Sequence, residues 1–228
     1  MPLFSILDVV ALVVFIVAWG GYAYVVELTR HGRDGLNARM NAYREIWMRR
    51  MLAREQRMVD MQIMAALQNG TAFFATTSLF AIGGALTILR SSDEMIAIAA
   101  QLPFGIQTSR GLWEVKTIGL TIVFVYAFFK FAWSYRLYNY VSILLGATPM
   151  PQDKDTPEAE AHVLRTARLF TTAGLQFNRG QRAFFFALGY LGWFAGPIVF
   201  MATTAAVVIV IWRRQFASDS LSAVAGPP

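Results

Sequence analysis

Lys130 lies about 14 residues into the apolar run Thr117–Tyr138, about 20 Å along a helix that rises 1.5 Å per residue. An ionisable side chain at membrane depth is a functional suspect, because it needs either a wet path or a partner. A lysine stem can also snorkel to the nearer interface and satisfy its ammonium there. Arg136 and Asn139 follow within a few turns, so Lys130, Arg136 and Asn139 form a candidate polar path. Asp8 opens the first apolar run, where a wetted or capping carboxylate is expected ahead of a proton relay. Glu114 and Lys116 open the third run and, with Arg110, form an interfacial charge cluster.

Arg49, Arg50, Arg54 and Arg57 form the densest basic cluster, and such a cluster near a span is a candidate contact for anionic lipid head groups. Nucleic acid fits it poorly, because no recognised binding module accompanies it. The methionines near it are soft donors that would suit Cu(I). They alternate with Tyr43 and Trp47, and the chain has no cysteine, so packing is the expected role. His31 and His162 stand alone. Neither metal nor cofactor is expected. There is no Gly-rich phosphate loop, no Ser–His–Asp set and no carboxylate cluster, so an enzyme is not expected either. Gly189, Gly192 and Gly196 put small residues on one face, the pattern that lets helices approach closely in lipid. Thr77, Ala81 and Ala85 offer a matching face, and Pro197 is expected to kink the helix that carries the glycines.

The elements that hold these residues follow from composition. The 228 residues are 56% hydrophobic and 15% charged, against roughly 25% charged in a soluble domain. A spanning helix needs about 20 mostly apolar residues, and four segments qualify: 5–26, 71–89, 117–138 and 183–212. The fold class is all-α, a polytopic membrane protein in one domain over residues 1–228. The first segment lacks a basic flank and a cleavage pattern, so a retained helix is expected. Connection 27–70 carries eight Lys and Arg, connection 90–116 three, and connection 139–182 five. The positive-inside rule then places 27–70 and 139–182 in the cytoplasm and both termini outside an inner (plasma) membrane. Arg213 and Arg214 count against that orientation.

Both inside connections are predicted to be helical. Residues 36–70 have Asn37 as a candidate N-cap. An apolar stripe follows through Met40, Tyr43, Trp47, Met51, Met58, Met61 and Ala65, with Arg44 off it and Glu45–Arg49 as an i,i+4 pair. If this helix ran unbroken into the second span, about 50 Å of it would stand outside the membrane, so a partner must cover the stripe. Residues 157–177 supply one, capped by Thr156 with Pro157 at the first helical position, and Asn178-Arg-Gly180 reads as a joint before the last span. Ser91-x-x-Glu94 is a capping-box pattern for a short helix ended by Pro103.

Two motif pairs hint at duplication. Phe15-x-x-Ala18-Trp19 with Tyr24 matches Phe129-x-x-Ala132-Trp133 with Tyr138, and Ala72-Phe73-Phe74 matches Ala183-Phe184-Phe185. Chance among aromatic-rich helices explains the pairs as well as a repeat does. Longer stretches carry a family resemblance: IWMRRMLARE (46–55), NGTAFFATTSLFAIGGAL (69–86), KFAWSYRLYNYVSILLGATP (130–149) and FNRGQRAFFFALGYLGWF (177–194). They resemble the membrane family called domain of unknown function 599 over nearly the whole chain. That resemblance implies a four-span integral membrane protein and transfers no activity. Two functions fit: a homo-oligomeric channel or transporter-like assembly, or a non-catalytic scaffold that docks a cytoplasmic protein partner or anionic membrane lipids.

Overall fold

Three helices are too long for a bilayer. In the computed structural model, which describes residues 4–101 and 108–224, helix α4 runs Met58–Arg90, α6 runs Arg110–Gly146 and α7 runs Pro157–Tyr190. At 33, 37 and 34 residues they measure about 50 to 55 Å, against a hydrocarbon core of about 30 Å. Each is therefore longer than such a layer by about 20 Å, and the ends remote from the most apolar stretches pack with α3 (Leu36–Leu52) into a second bundle. The remaining elements are α1 (Ile6–Leu28), α2 (Arg30–Arg33), α5 (Ser92–Ala100), α8 (Gly192–Ala195), α9 (Pro197–Phe216) and α10 (Asp219–Ala223), with a single 3-10 turn at Pro151–Asp153. No strand occurs among the described residues. Four stretches are long and apolar enough to cross a membrane: Ile6–Leu28, Met58–Arg90, Arg110–Gly146 and Pro197–Ala223.

The bundle core answers the need for a cover over α3. Met48, Met51 and Leu52 meet Met64 of α4, Leu137, Val141 and Leu145 of α6, and Val163, Ala167 and Phe170 of α7, all buried. The buried face is not the predicted stripe. Met51 and Trp47 pack inward, but Met40, Met58 and Met61 are exposed. Arg44, expected off the stripe, lies over the Phe170 ring and against Gly174. The helix is also broken. It ends at Leu52, and α4 starts at Met58, so two shorter rods form a hairpin where one long rod was expected. Gly35, not Asn37, is the N-cap of α3.

α6 and α7 are antiparallel along their full lengths. The Ser134 hydroxyl donates to the Ala173 carbonyl (2.8 Å), Phe131 packs on Gly180, and the Lys116 ammonium donates to the Trp193 carbonyl (2.8 Å). α7 passes through Asn178-Arg-Gly180 without the expected joint; the missing Gly180 side chain makes room for Phe131. Thr156 caps α7 as predicted, its side chain accepting from the Ala159 amide (3.3 Å). At Ser91 no side-chain cap forms. Pro103 lies outside the described residues.

Residues 183–212, expected as one span, are two helices in opposite senses. α7 and α8 end at Gly196, whose φ of +136° is accessible essentially to glycine alone. Pro197 then starts α9 at its first position instead of kinking one helix. α9 folds back on α7: Thr203 Oγ1 donates to the Gly189 carbonyl (2.7 Å), and Arg214 reaches Gln181 (3.1 Å). Its last turn meets the first connection, where Gln215 touches Gly35. α1 runs parallel to α9, with Phe15 beside Phe200 and the Tyr22 hydroxyl on the Ile211 carbonyl (3.1 Å). The end of α9 thus lies on the bundle side, opposite the start of α1, whereas the two were expected on one side.

The duplication is not confirmed by the elements. α1 stops at Leu28 while its counterpart α6 runs on into the bundle, and α9 has no counterpart in the first half.

Candidate functional site

The apolar layer is bracketed by two charged clusters. At the far side, Asp8 and Ser5 form a reciprocal capping box at the start of α1. The Trp193 indole donates to the Asp8 carboxylate (2.7 Å), and Lys116 donates to the Trp193 carbonyl while its ammonium lies 5.4 Å from the indole centroid. Asp8 and Lys116 are both almost fully buried. Lys116 is therefore no part of an outer charge rim; Arg110 forms that rim with Glu114 (2.8 Å) and Asp93 (2.9 Å).

At the bundle side, Glu27 near the end of α1 takes both Arg179 and Arg182 of α7, with Arg179 Nε at 3.1 Å. Arg182 also lies over the Tyr22 ring. Nineteen residues separate Asp8 from Glu27, about 29 Å of helix, which matches the hydrocarbon thickness of about 30 Å.

Two adjoining clefts open at this lower level. The smaller, about 70 Å³, is bounded by Tyr22, Asn37, Asn178, Gln181, Arg182, Arg214 and Gln215 among others. The larger, about 350 Å³, is bounded by Glu27, Arg33, Asn41, Asn178 and Arg179, with Val26, Leu28 and Leu175 as its apolar part. Four arginines face one carboxylate across the two linings. Arg182 Nε and Gln215 Nε2 are buried and have no partner. Arg33 makes no ion pair among the described residues. The composition of this ring was visible in the sequence, but the arginines come from α2, α7 and α9, and only the α7–α9 turn brings the last of them here.

The predicted polar path is not assembled within one chain. The Lys130 ammonium turns back over the Tyr126 ring at 5.2 Å, toward the start of α6, as the tilt of helical side chains dictates. It neither snorkels toward the nearer boundary nor pairs with an acid. Arg136 donates to the Tyr140 hydroxyl (2.8 Å) on an exposed face. Asn139 accepts from Gln68 of α4 (2.9 Å). Six and nine residues on from Lys130 are turns of about 240° and 180° around a helix, so Arg136 and Asn139 leave α6 on a face turned well away from Lys130.

The predicted lipid cluster stands at the far tip of the bundle, around the α3–α4 hairpin. Arg49 bridges Glu45 (2.9 Å) and Glu160 (2.5 Å), which hold its guanidinium more firmly protonated than usual and depress the Glu160 carboxyl. Arg54 pairs with Asp60 (2.7 Å), and Arg57 donates to the carbonyls of Thr148 and Pro149. Arg50 is exposed. The tip is 13 residues beyond Thr71, about 20 Å from the apolar layer. Three of the four arginines thus tie the bundle together. Asp60 was missed by the sequence reading: fully buried, it accepts from Trp47 Nε1 (2.6 Å) as well as Arg54.

Gly189 and Gly192 do serve close packing, but against Val207 and Thr203 of α9, not against Thr77, Ala81 and Ala85. A Cβ at Gly192 would overlap the Thr203 hydroxyl. Among the described residues, no three His, Cys, Asp or Glu side chains come together as metal ligands. His162 Nε2 lies 3.0 Å from the Leu144 carbonyl and 3.3 Å from Thr148 Oγ1, and burial pushes its pKa down.

No curated protein and no solved structure matches the chain. A family model described as "Protein of unknown function, DUF599" matches residues 10–220. That match runs from Val10 within α1 through α9 and takes in both charged clusters except Asp8, and the chain belongs to the DUF599 family.

Proposed function

We propose that this chain is a multi-pass protein of the plasma membrane whose helical bundle stands in the cytoplasm. It acts without catalysis, as a scaffold that docks a cytoplasmic protein partner and grips anionic lipids. The observation that carries this reading is the continuity of α4, α6 and α7. Each passes from the apolar layer into the bundle without a break, so the bundle is a rigid outgrowth of the membrane helices and not a tethered domain. The orientation rests on charge. Of twenty Lys and Arg, Arg90, Arg110 and Lys116 lie on the far side and Lys130 within the layer; the others lie with the bundle. The return of α9 brings Arg213 and Arg214 to the bundle side, so the two residues that opposed a cytoplasmic bundle now favour it.

A homo-oligomeric channel is the competing reading. It is favoured by the exposed row Ile118, Ile122, Tyr126, Phe129 and Trp133 on α6, which a second copy would cover, with Lys130 and Arg136 beside it. Flux separates the two. Single cysteines along 118–140 and 198–212, introduced into a chain without native cysteine, are probed with a membrane-impermeant thiol reagent in proteoliposomes. The scaffold reading expects labelling only near the two boundaries and no ion flux. A continuous labelled stripe with flux lost in Lys130→Ala would replace it with the channel.

A further inference from the structure

We propose that the paired clefts under the carboxyl end of α1 bind the phosphate of an anionic phospholipid. Positive charge is in excess there: Arg33, Arg179, Arg182 and Arg214 face Glu27 alone. Glu27 occupies Nε and one terminal nitrogen of Arg179 and a single terminal nitrogen of Arg182, so N–H groups of both forks remain for a second acceptor. Arg182 Nε and Gln215 Nε2 are donors that the fold buries and leaves unpaired. Both residues are more than nine-tenths buried, and an unmatched buried donor is destabilising unless an acceptor arrives. Arginine forks match the oxygens of a phosphate two at a time. Asn37, Asn41 and Asn178 add amide groups that carry no charge of their own.

The position selects a lipid over a free anion. The clefts sit where α1 has crossed about 29 Å from Asp8, the depth of a phosphate plane. One face of α1 leads to them: Val10, Val13, Val17, Tyr24 and Leu28 are all exposed apolar side chains at helical spacing. Acyl chains lie along that face while the phosphate enters between Arg33 and Arg214, the two exposed arginines of the ring. The assignment rests on the membrane reading above, but not on the choice between scaffold and channel.

The test uses the full chain in a neutral detergent, with phosphatidylglycerol, phosphatidylcholine and inorganic phosphate as probes. Retained lipid is counted by native mass spectrometry, and the unfolding midpoint is followed in parallel. Phosphatidylglycerol is expected to be retained in preference to phosphatidylcholine and to raise the midpoint. Arg33→Gln with Arg214→Gln, both at exposed positions, is expected to lower phosphatidylglycerol affinity about tenfold, the loss of one charge-assisted hydrogen bond or more, while the lipid-free midpoint stays put. Arg50→Gln at the bundle tip serves as the control. Undiminished retention in the double variant would overturn the site. Equal protection by inorganic phosphate, displacing the lipid, would overturn the lipid and assign a free phosphoryl ligand. Solute flux together with normal phosphatidylglycerol retention would remove the scaffold reading and leave this site standing.

Discussion

Asp8 accepts from three donors: the Ser5 amide at 3.2 Å, the Ser5 hydroxyl at 2.6 Å and the Trp193 indole at 2.7 Å. The first two are local and readable from Ser5-x-x-Asp8. The third comes from 185 residues away, and no spacing rule reaches that far. Replacing Trp193 by Phe removes one donor to a buried carboxylate and trims a fully buried ring system. A loss of about 1–3 kcal/mol beyond the packing cost of the smaller ring is expected, read as a lower unfolding midpoint in detergent than Trp113→Phe gives, since that buried indole has no hydrogen-bond partner to lose. His162 gives a pH dependence with a definite sign. Burial lowers its pKa, so in the window below the ordinary value of about 6.5 the unfolded chain holds the extra proton and folding weakens as pH falls. The unfolding midpoint is expected to drop on acidification through that window, and His162→Gln should flatten the drop. The lysine at membrane depth was visible from sequence, but its cradle was not, because Tyr126 is one of several aromatic neighbours four residues or fewer away.

Glycines separate two kinds of element boundary. Gly196 carries the only positive φ among the described residues and sits where α8 hands over to α9. Gly196→Ala is expected to destabilise by about 1–3 kcal/mol. A Cβ at Gly83 meets nothing within 4 Å, so Gly83→Ala should show no loss; a comparison of the two midpoints checks the pair. The turn was hard to read because Gly-Pro inside an apolar run also describes a kinked single helix. A kink and a reversal share one sequence signature, and the deciding feature is Gly189 and Gly192 packing on Thr203 and Val207, a tertiary matter. The α3–α4 break was likewise hidden. Residues 52–58 contain neither glycine nor proline, and the hairpin is held by Asp60, which gathers Trp47 and Arg54. Asp60→Ala would leave the half-buried Trp47 indole without its acceptor and remove the buried partner of Arg54. The extramembrane bundle should melt about 1–3 kcal/mol easier, with Arg50→Ala as a silent neighbour.

At the level of the molecule, the reversal at Gly196 sends α9 back toward the bundle side, antiparallel to the distal half of α7. The end of α7 was merged with α9 in the expected span 183–212, and the burial of Phe186, Ala187, Gly189 and Tyr190 among α1, α6 and α9 is what sets it apart. A tag after residue 216 is expected to report from the same side as one at residue 50, and a tag at the amino terminus from the other. Protease protection in sealed vesicles checks all three. The all-helical class, the apolar spans carried by α1, α4 and α6, and the packing of connection 27–70 against connection 139–182 were legible, since each is set by hydropathy or by an uncovered apolar face. The sense of the last helix was not, because charge counting had two residues on the wrong side of an unseen turn.

The knot between Asp8 and Trp193 also sets an order of assembly. α1 packs chiefly against α7 and α9, both synthesised well after it. At about 5–20 residues per second, the nascent chain grows for roughly 10–40 s between the two halves of that contact. Through that interval α1 has neither of these neighbours to pack against. Biogenesis of this protein therefore closes at its beginning, and a chain truncated before the final hairpin would leave its amino-terminal helix adrift for chaperones and proteases to find.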